Sequence, residues 1–593
     1  MEVKNSLKGG EFLIHDVKFS NVFVPEEFSE EQRMIAGMCQ DFLEKEIFPN
    51  LDRIDEKEKG LMRSLISKTG ELGLLGLSIP EEYGGYGQSF VTSMLAADVL
   101  GAGHSYAVAY SAHTGIGTLP LLYYGSEELK QKYLSKMATG EYAVAYCLTE
   151  PGAGSDANSG RTRAVLSDDG KYYILNGQKM WITNGGFADV LTVFAKIDND
   201  KILSAFLVER TFPGVTFGAE EHKMGIKGSS TVQIFFNDCK VPVENMIGKR
   251  GEGFRIALNI LHIGRIKLGA NVIGSLKRSI MHSVNYANER KQFGSFISSF
   301  GAIQYKLAQQ VIKTFATESA VYRTSAYVDE KINEGVASGK KKEQANLEAL
   351  GEYAMEAAIL KVFGSESLDY IVDEAVQIFG GMGFSAEMPV ERGYRDSRIN
   401  RIFEGTNEIN RMVIADQFLK MAKKSDSPIF AKAKEIYASI DTIKPIDFEG
   451  DYFDKKATVI ENFKKLVLLI QYRAYETLGK AYSNEQEVQM NISDMIIQLY
   501  AAESLMLRVK KLKNIKSETE SGIYVDMLDA FMQDAALEIY RSGIDAITSF
   551  ASGEEYSKLL HALQIFTQVE NINVKESRRR VAHKLIEDNR YNF

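Results

Sequence analysis

Residues 147–156 read Cys147-Leu148-Thr149-Glu150-Pro151-Gly152-Ala153-Gly154-Ser155-Asp156, and the texture of the chain changes at this stretch. Pro151 stops a strand or a helix, Gly152 and Gly154 let backbone approach a ligand closely, and Thr149 and Ser155 add hydroxyls. Such a loop suits the edge of a heterocycle or a phosphate. The plainer reading is a turn that joins two domains.

On the N-terminal side, Ser29-Glu30-Glu31-Gln32 is a capping box, and Ile35, Met38, Phe42 and Ile47 mark one helical face behind it. Helical patterns continue to about Gly140, broken by the glycine-rich loop at 80–87. On the C-terminal side come short β-rich runs at 172–175, 180–183, 190–195, 204–208 and 232–236, with hairpin-turn chemistry at Asp168-Asp169-Gly170 and Asn199-Asp200. From Gly251 long periodic helices return at 254–289 and 303–334, with Lys340-Lys341-Lys342 and Gly364-Ser365 as punctuation. Further helical faces recur at 463–482, 492–512 and 527–550.

The order is helix, sheet, helix: a mainly α chain with an inserted β domain. The pattern predicts an arm at 1–27, an N-terminal α domain at 28–145, a β domain at 146–247, an α bundle at 248–424 and an additional helical domain at 425–593. A chain of 593 residues is too long for one core, in keeping with this division.

Composition excludes several classes. A net charge of −9 disfavours nucleic-acid binding, which calls for a basic face. Cys39, Cys147 and Cys239 form no CxxC pair, which fits a reducing compartment. The eight histidines lack metal-ligand spacing, so no metal site is expected. No long uninterrupted apolar run stands out, so no spanning helix is expected, and Met1-Glu2-Val3-Lys4 lacks a signal-peptide core, which points to a bacterial cytoplasm. Lys510-Lys511-Leu512-Lys513 and Arg578-Arg579-Arg580 are candidates for peripheral membrane contact, with solvated charge as the plainer reading.

Four further segments carry chemistry. Residues 176–185, Asn-Gly-Gln-Lys-Met-Trp-Ile-Thr-Asn-Gly, contain the only tryptophan, Trp181. Glu289-Arg290-Lys291-Gln292-Phe293-Gly294 closes a helix with charge and glycine. Gln377-Ile378-Phe379-Gly380-Gly381-Met382-Gly383 is glycine-rich, but no GxGxxG follows a strand, so a Rossmann dinucleotide site is not supported. Arg401-Ile402-Phe403-Glu404-Gly405-Thr406-Asn407-Glu408 offers one carboxylate followed by a glycine that permits close packing.

Together with residues 147–156, these segments resemble the acyl-CoA dehydrogenase family, in order, over about residues 30–420 and more loosely beyond. The resemblance implies an N-terminal α bundle, a middle β barrel or sandwich and a C-terminal four-helix bundle. It implies FAD held by Tyr146, Leu148, Thr149, Gly154 and Ser155, by Trp181, Ile182 and Thr183, and by Thr406 and Glu408. Across a dimer seam it adds Arg290, Gln292, Phe293, Gln377, Gly380 and Gly381. Ser155, His262, Arg265 and Gly405 would meet the acyl-CoA, and Glu404 would be the catalytic base. Some family members carry the base on the earlier helix before an arginine; the matching pair here is Gly264-Arg265, and glycine cannot serve.

The implied reaction is α,β-dehydrogenation of a fatty acyl-CoA to the trans-2-enoyl-CoA, the first step of fatty-acid β-oxidation, with an electron-transferring flavoprotein as acceptor. Small residues in Ser111-Ala112-His113-Thr114-Gly115-Ile116-Gly117, near the end of the acyl pocket that the resemblance implies, would leave depth for a long chain; the Gly264-Arg265 pair and the C-terminal extension look like the very-long-chain branch, in which the extension implies a homodimer. An acyl-CoA oxidase of the same fold, or a non-catalytic scaffold, are the alternatives.

Overall fold

The structure, a computed structural model, describes residues 7–593 apart from Asp426. Met1-Glu2-Val3-Lys4 therefore lies outside the described residues. The helices that position the site are α1 (Glu30–Phe42), α2 (Phe90–Leu100), α3 (Ser105–Ala112), α4 (Gly253–Glu289), α5 (Gly301–Ala337), α6 (Ala354–Phe379), α7 (Pro389–Ser397) and α8 (Asn407–Ala422). The extension adds α9 (Tyr452–Leu478), α10 (Gln486–Ile515), α11 (Glu518–Phe550) and α12 (Val574–Asp588).

The capping box forms both ways: the Ser29 hydroxyl accepts from the Gln32 N–H, and the Gln32 side chain accepts from the Ser29 N–H. Behind it, Phe42, Leu43 and Ile47 pack with Leu65, Tyr106 and Tyr110 in a core of their own.

The strands are β1 (Val144–Cys147), β2 (Arg163–Leu166), β3 (Tyr172–Thr183), β4 (Val190–Ile197), β5 (Ser204–Glu209), β6 (Val215–Phe217), β7 (Thr231–Pro242) and β8 (Met246–Ile247). Their order is β6-β7-β3-β2-β4-β5-β8, with β1 parallel to β4. The two halves meet at a short parallel seam, Arg163 opposite Lys196 and Ala164 opposite Ile197, and the path stays open at β6 and β8. β4 is buried along nearly its whole length because both its faces are covered, whereas β3 is buried only at Leu175, Lys179 and Ile182. The β3–β7 register shifts between Lys179 and Ile182. Trp181 sits in that irregularity with φ +61°, and the bulge turns its ring outward, 52% exposed.

Helix α4 runs through the centre, packed on α2, α5 and α6. Gly364-Ser365, expected to break the chain, lies inside α6. A Cβ on Gly364 would stand 3.0 Å from Val272 and 3.5 Å from the Gly269 Cα, so the glycines let α4 and α6 approach closely. Of the lysine run, Lys342 already begins a helix, so that punctuation is shorter than expected. α4 is also long and apolar enough to cross a membrane by length and composition alone, contrary to expectation, but 72% of its most apolar stretch is buried inside this fold.

The N-terminal arm, weakly patterned in sequence, is pinned by side chains of the extension. Lys432 donates to the Ile14 carbonyl, Lys464 to His15 and Lys511 to Val22. Arg508, 2% exposed on α10, pairs with Glu26 of the arm at 2.8 Å and with Glu318 of α5 at 3.3 Å. The arginine run is paired within the fold, Arg578 with Asp534, Arg579 with Glu576 and Arg580 with Asp526, whereas in the lysine run only Lys511 forms an ion pair among the described residues, with Glu27.

Candidate active site

Glu404 follows the short 3₁₀ turn Arg398–Arg401 and precedes α8. Its φ is +58° and that of Gly405 is +81°, two left-handed residues in succession. A non-glycine residue there costs about 1 kcal/mol or more, so neighbours must hold it. Asn410 does so by donating to the carbonyls of Gly405 at 2.8 Å and Thr406 at 3.0 Å, and Arg265 approaches the Glu404 carbonyl at 3.5 Å. Thr406 caps α8, its hydroxyl accepting from the Ile409 N–H.

This turn points the Glu404 side chain at α4. A Cβ on Gly264 would stand 2.5 Å from Oε2 and 2.9 Å from Cδ of Glu404. Part of the residue still meets solvent, but Oε2 is enclosed and has no hydrogen-bond partner among the described residues. Burial pushes its carboxyl up to about 7, against the pull of the Arg265 and Lys361 charges. Those cations suffer in turn: burial brings Arg265 down to about 10 and Lys361 to about 7. His262, 3.2 Å from the Arg265 guanidinium, is pushed by burial and by that charge down to about 3, so it stands neutral.

Lys361 escaped the sequence reading. It is fully buried in α6, donates to the Asn407 side chain at 2.6 Å, and Asn407 in turn donates to Ser365 and Glu366. The available signal was a lone lysine in the apolar run Ala357-Ala358-Ile359-Leu360-Lys361-Val362-Phe363. Glu150 escaped too. Its carboxylate takes the fully buried Lys179 at 2.6 Å and the Thr162 N–H at 3.1 Å, while the Thr149 carbonyl accepts from the Met180 N–H. These bonds tie the 147–156 loop to β3 beside Trp181.

The other expected site residues fall into two groups. Tyr146, its ring edge-on to Phe194, has a buried hydroxyl without a partner and is held up by burial and then by the Glu404 charge. Leu148 and Ile182 are buried, Thr183 is half-buried and Ser155 is exposed. A Cβ at Gly152 or Gly154 would meet nothing within 4 Å. An open glycine loop, an outward indole and an orphaned phenol fit a planar heterocycle bearing a phosphate tail.

Arg290, Gln292 and Phe293 make the second group. Helix α4 ends at Glu289 as expected, but a hairpin follows: β9 (Lys291–Gln292) pairs with β10 (Ser295–Phe296). Phe293 and Gly294 form its turn at φ +52° and +80°. Phe293 is 96% exposed, and among the described residues no hydrogen bond or ion pair joins the hairpin to Glu404, whose carbonyl takes Arg265 and Asn410 instead. Gln377 lies in the last turn of α6, and a Cβ on Gly380 or Gly381, just past its end, would meet nothing within 4 Å. Glu408, in the first turn of α8, is exposed.

This arrangement is that of a flavoenzyme fold built from two helical bundles around a sheet, with a desolvated carboxylate against the central helix. Family models for the acyl-CoA dehydrogenase N-terminal domain match residues 29–141, the middle domain 145–239, and C-terminal domains 251–419 and 462–564. The chain belongs to the acyl-CoA dehydrogenase family. It is 42% identical to a probable acyl-CoA dehydrogenase of Bacillus subtilis over 98% of both chains. It is 44% identical to the very long-chain specific acyl-CoA dehydrogenase of Rattus norvegicus, covering 62% of this chain and 54% of that one. The crystal structure of an acyl-CoA dehydrogenase complexed with FAD from Bacillus anthracis superposes with a TM-score of 0.96 at 43% identity, covering 99% of this chain and 100% of that one.

Proposed function

We propose that this enzyme is FAD-dependent and converts long-chain fatty acyl-CoA to trans-2-enoyl-CoA, with Glu404 as the base. The observation that carries this reading is the enclosed, partner-free Oε2 of Glu404. The α-hydrogen of a thioester is far less acidic than a carboxylic acid, so the base needs a dry site that raises its pKa toward 7.

Bound FAD would supply the acceptor for the β-hydrogen as hydride. The chain does the rest. The 147–156 loop and Trp181 are suited to hold and cover the ring, as the gap around Gly154 and the outward indole support. Glu404 takes the α-proton onto its enclosed carboxylate. Its backbone N–H, in the strained turn before Gly405, can donate to the thioester oxygen, where negative charge develops. Arg265 and Lys361 bias Glu404 toward the charged form that a base requires.

The exposed Phe293 and Phe384, 96% and 92% accessible, support a homodimer in which the hairpin serves a neighbouring subunit. Long-chain preference rests on the similarity to very long-chain relatives. An electron-transferring flavoprotein as acceptor follows from the same kinship. Dye reduction with saturated acyl-CoAs of graded length, beside a peroxide assay, tests the reading. Reduction that peaks at long chains without peroxide is expected; peroxide at the turnover rate would mean an oxidase, and a butyryl-CoA optimum would overturn the chain-length assignment.

A further inference from the structure

The face of α4 that meets Glu404 does not end at Gly264. At 100° per residue, Asn271, Ser275, Arg278 and His282 fall within about 40° of Gly264 on the helical wheel. These four line a second cavity, of about 50 Å³, whose opposite wall is Ala107 and Val108 of α3. The strip is rigidly held. A Cβ on Gly101 would stand 1.8 Å from the Asn271 carbonyl, and Ser275 donates to the Gly101 carbonyl at 2.8 Å.

Three polar atoms of this cavity lack partners among the described residues. The Arg278 Nε, the His282 Nε2 and the Asn271 Oδ1 are all enclosed without a hydrogen bond. Arg278 stacks on Phe48 at 3.7 Å, and among the described residues no carboxylate comes within ion-pair distance of it. The one acid in the cavity wall, Asp396, is already engaged: one oxygen accepts from the Ile226 N–H and the other meets His104 at 3.0 Å. Arg392 close by is neutralised by Asp52 and Asp55. Arg278 is half-buried, and an enclosed Nε without an acceptor is costly, so beside a cavity this guanidinium is placed to meet an anion.

Resting on the acyl-CoA reading of the site, we propose that this cavity receives the far end of an acyl chain that terminates in a carboxylate, so that ω-carboxylated long-chain acyl-CoAs are substrates. Fourteen residues of helix separate Gly264 from Arg278, a rise of about 21 Å, roughly the extended length of a sixteen-carbon chain. An acyl chain with its reacting carbons at Glu404 and its tail along this strip brings its terminus to Arg278. There a carboxylate gains the guanidinium and an imidazole nitrogen beside it. Asn271, about half-way along, is a shorter chain's point of contact.

The test compares palmitoyl-CoA with the mono-CoA thioester of hexadecanedioic acid on the FAD-loaded enzyme, by dye reduction. The carboxylated chain is expected to show kcat/KM within about threefold of the plain chain or above it. In Arg278→Met the ratio of carboxylated to plain kcat/KM falls at least tenfold, chiefly through KM, and Arg278→Lys restores part of it. His282→Leu, a gentler change, lowers the same ratio severalfold. A wild-type enzyme that rejects the carboxylated chain a hundredfold, or a ratio unmoved by the Arg278 and His282 substitutions, would overturn the inference while leaving the plain acyl-CoA reading intact. Failure to turn over either chain would overturn both.

Discussion

Oε2 of Glu404 lies 2.5 Å from where a Cβ on residue 264 would sit, so the carboxylate occupies the space that any side chain at Gly264 would need. The absence of a side chain on α4 and the presence of one on the turn before α8 are two halves of one fit. Gly264→Ala should therefore displace the carboxylate while leaving the flavin loop untouched. A shift of about 1 Å in a reacting group costs roughly a hundredfold in rate. We expect kcat to fall by about that factor with FAD content unchanged; full activity would show that the carboxylate need not sit there.

The pH profile follows from the same burial. Glu404 must be charged to accept a proton, so kcat/KM should rise with pH, reach half its maximum near 7, where burial has pushed its carboxyl, and level off above that. Arg265 opposes that push, so Arg265→Met should move the break upward. A break near the ordinary 4.5, or no movement in the variant, would contradict this.

Stability carries the opposite sign. A carboxyl whose folded pKa is raised from 4.5 to about 7 contributes its full stability below 4.5 and loses it as pH rises through 7. Glu404→Gln should thus match wild type near pH 4.5 and exceed it at pH 8, by roughly 2–3 kcal/mol at most. Denaturant midpoints at the two pH values measure the difference.

Trp181 is the sole tryptophan and stands half out of the sheet at its bulge. Bound FAD should quench most of its emission. Equal emission from apo and holo protein would place the flavin elsewhere.

The arm should depend on one buried pair. Removing one partner of such a pair costs about 3–5 kcal/mol. Glu26→Ala leaves Arg508 with Glu318 alone, so a loss toward the lower end of that range is expected, with faster hydrogen exchange in residues 7–28. Unchanged exchange there would mean the lysine contacts suffice.

The helix–sheet–helix order was legible because hydrophobic periodicity switches where Pro151 and the glycines intervene, and the capping box at Ser29 named its own partners. What escaped depends on contacts distant in sequence. Gly364 reads as a breaker until Gly269 is seen opposite it. The weak pattern of the arm hides anchors that lie on α9 and α10, hundreds of residues away. Lys361 reads as an ordinary helical lysine, because only folding brings Asn407 and Glu404 to it. The Phe293-Gly294 turn lacks the Asn-Gly signature that marks such hairpins.

The most direct test of the account is anaerobic mixing of the FAD-loaded enzyme with palmitoyl-CoA while the flavin absorption is followed. Wild type should bleach, and Glu404→Gln, with the same FAD content, should keep its colour over many wild-type turnovers. Bleaching by the variant at the wild-type rate would remove Glu404 from the chemistry and contradict the account.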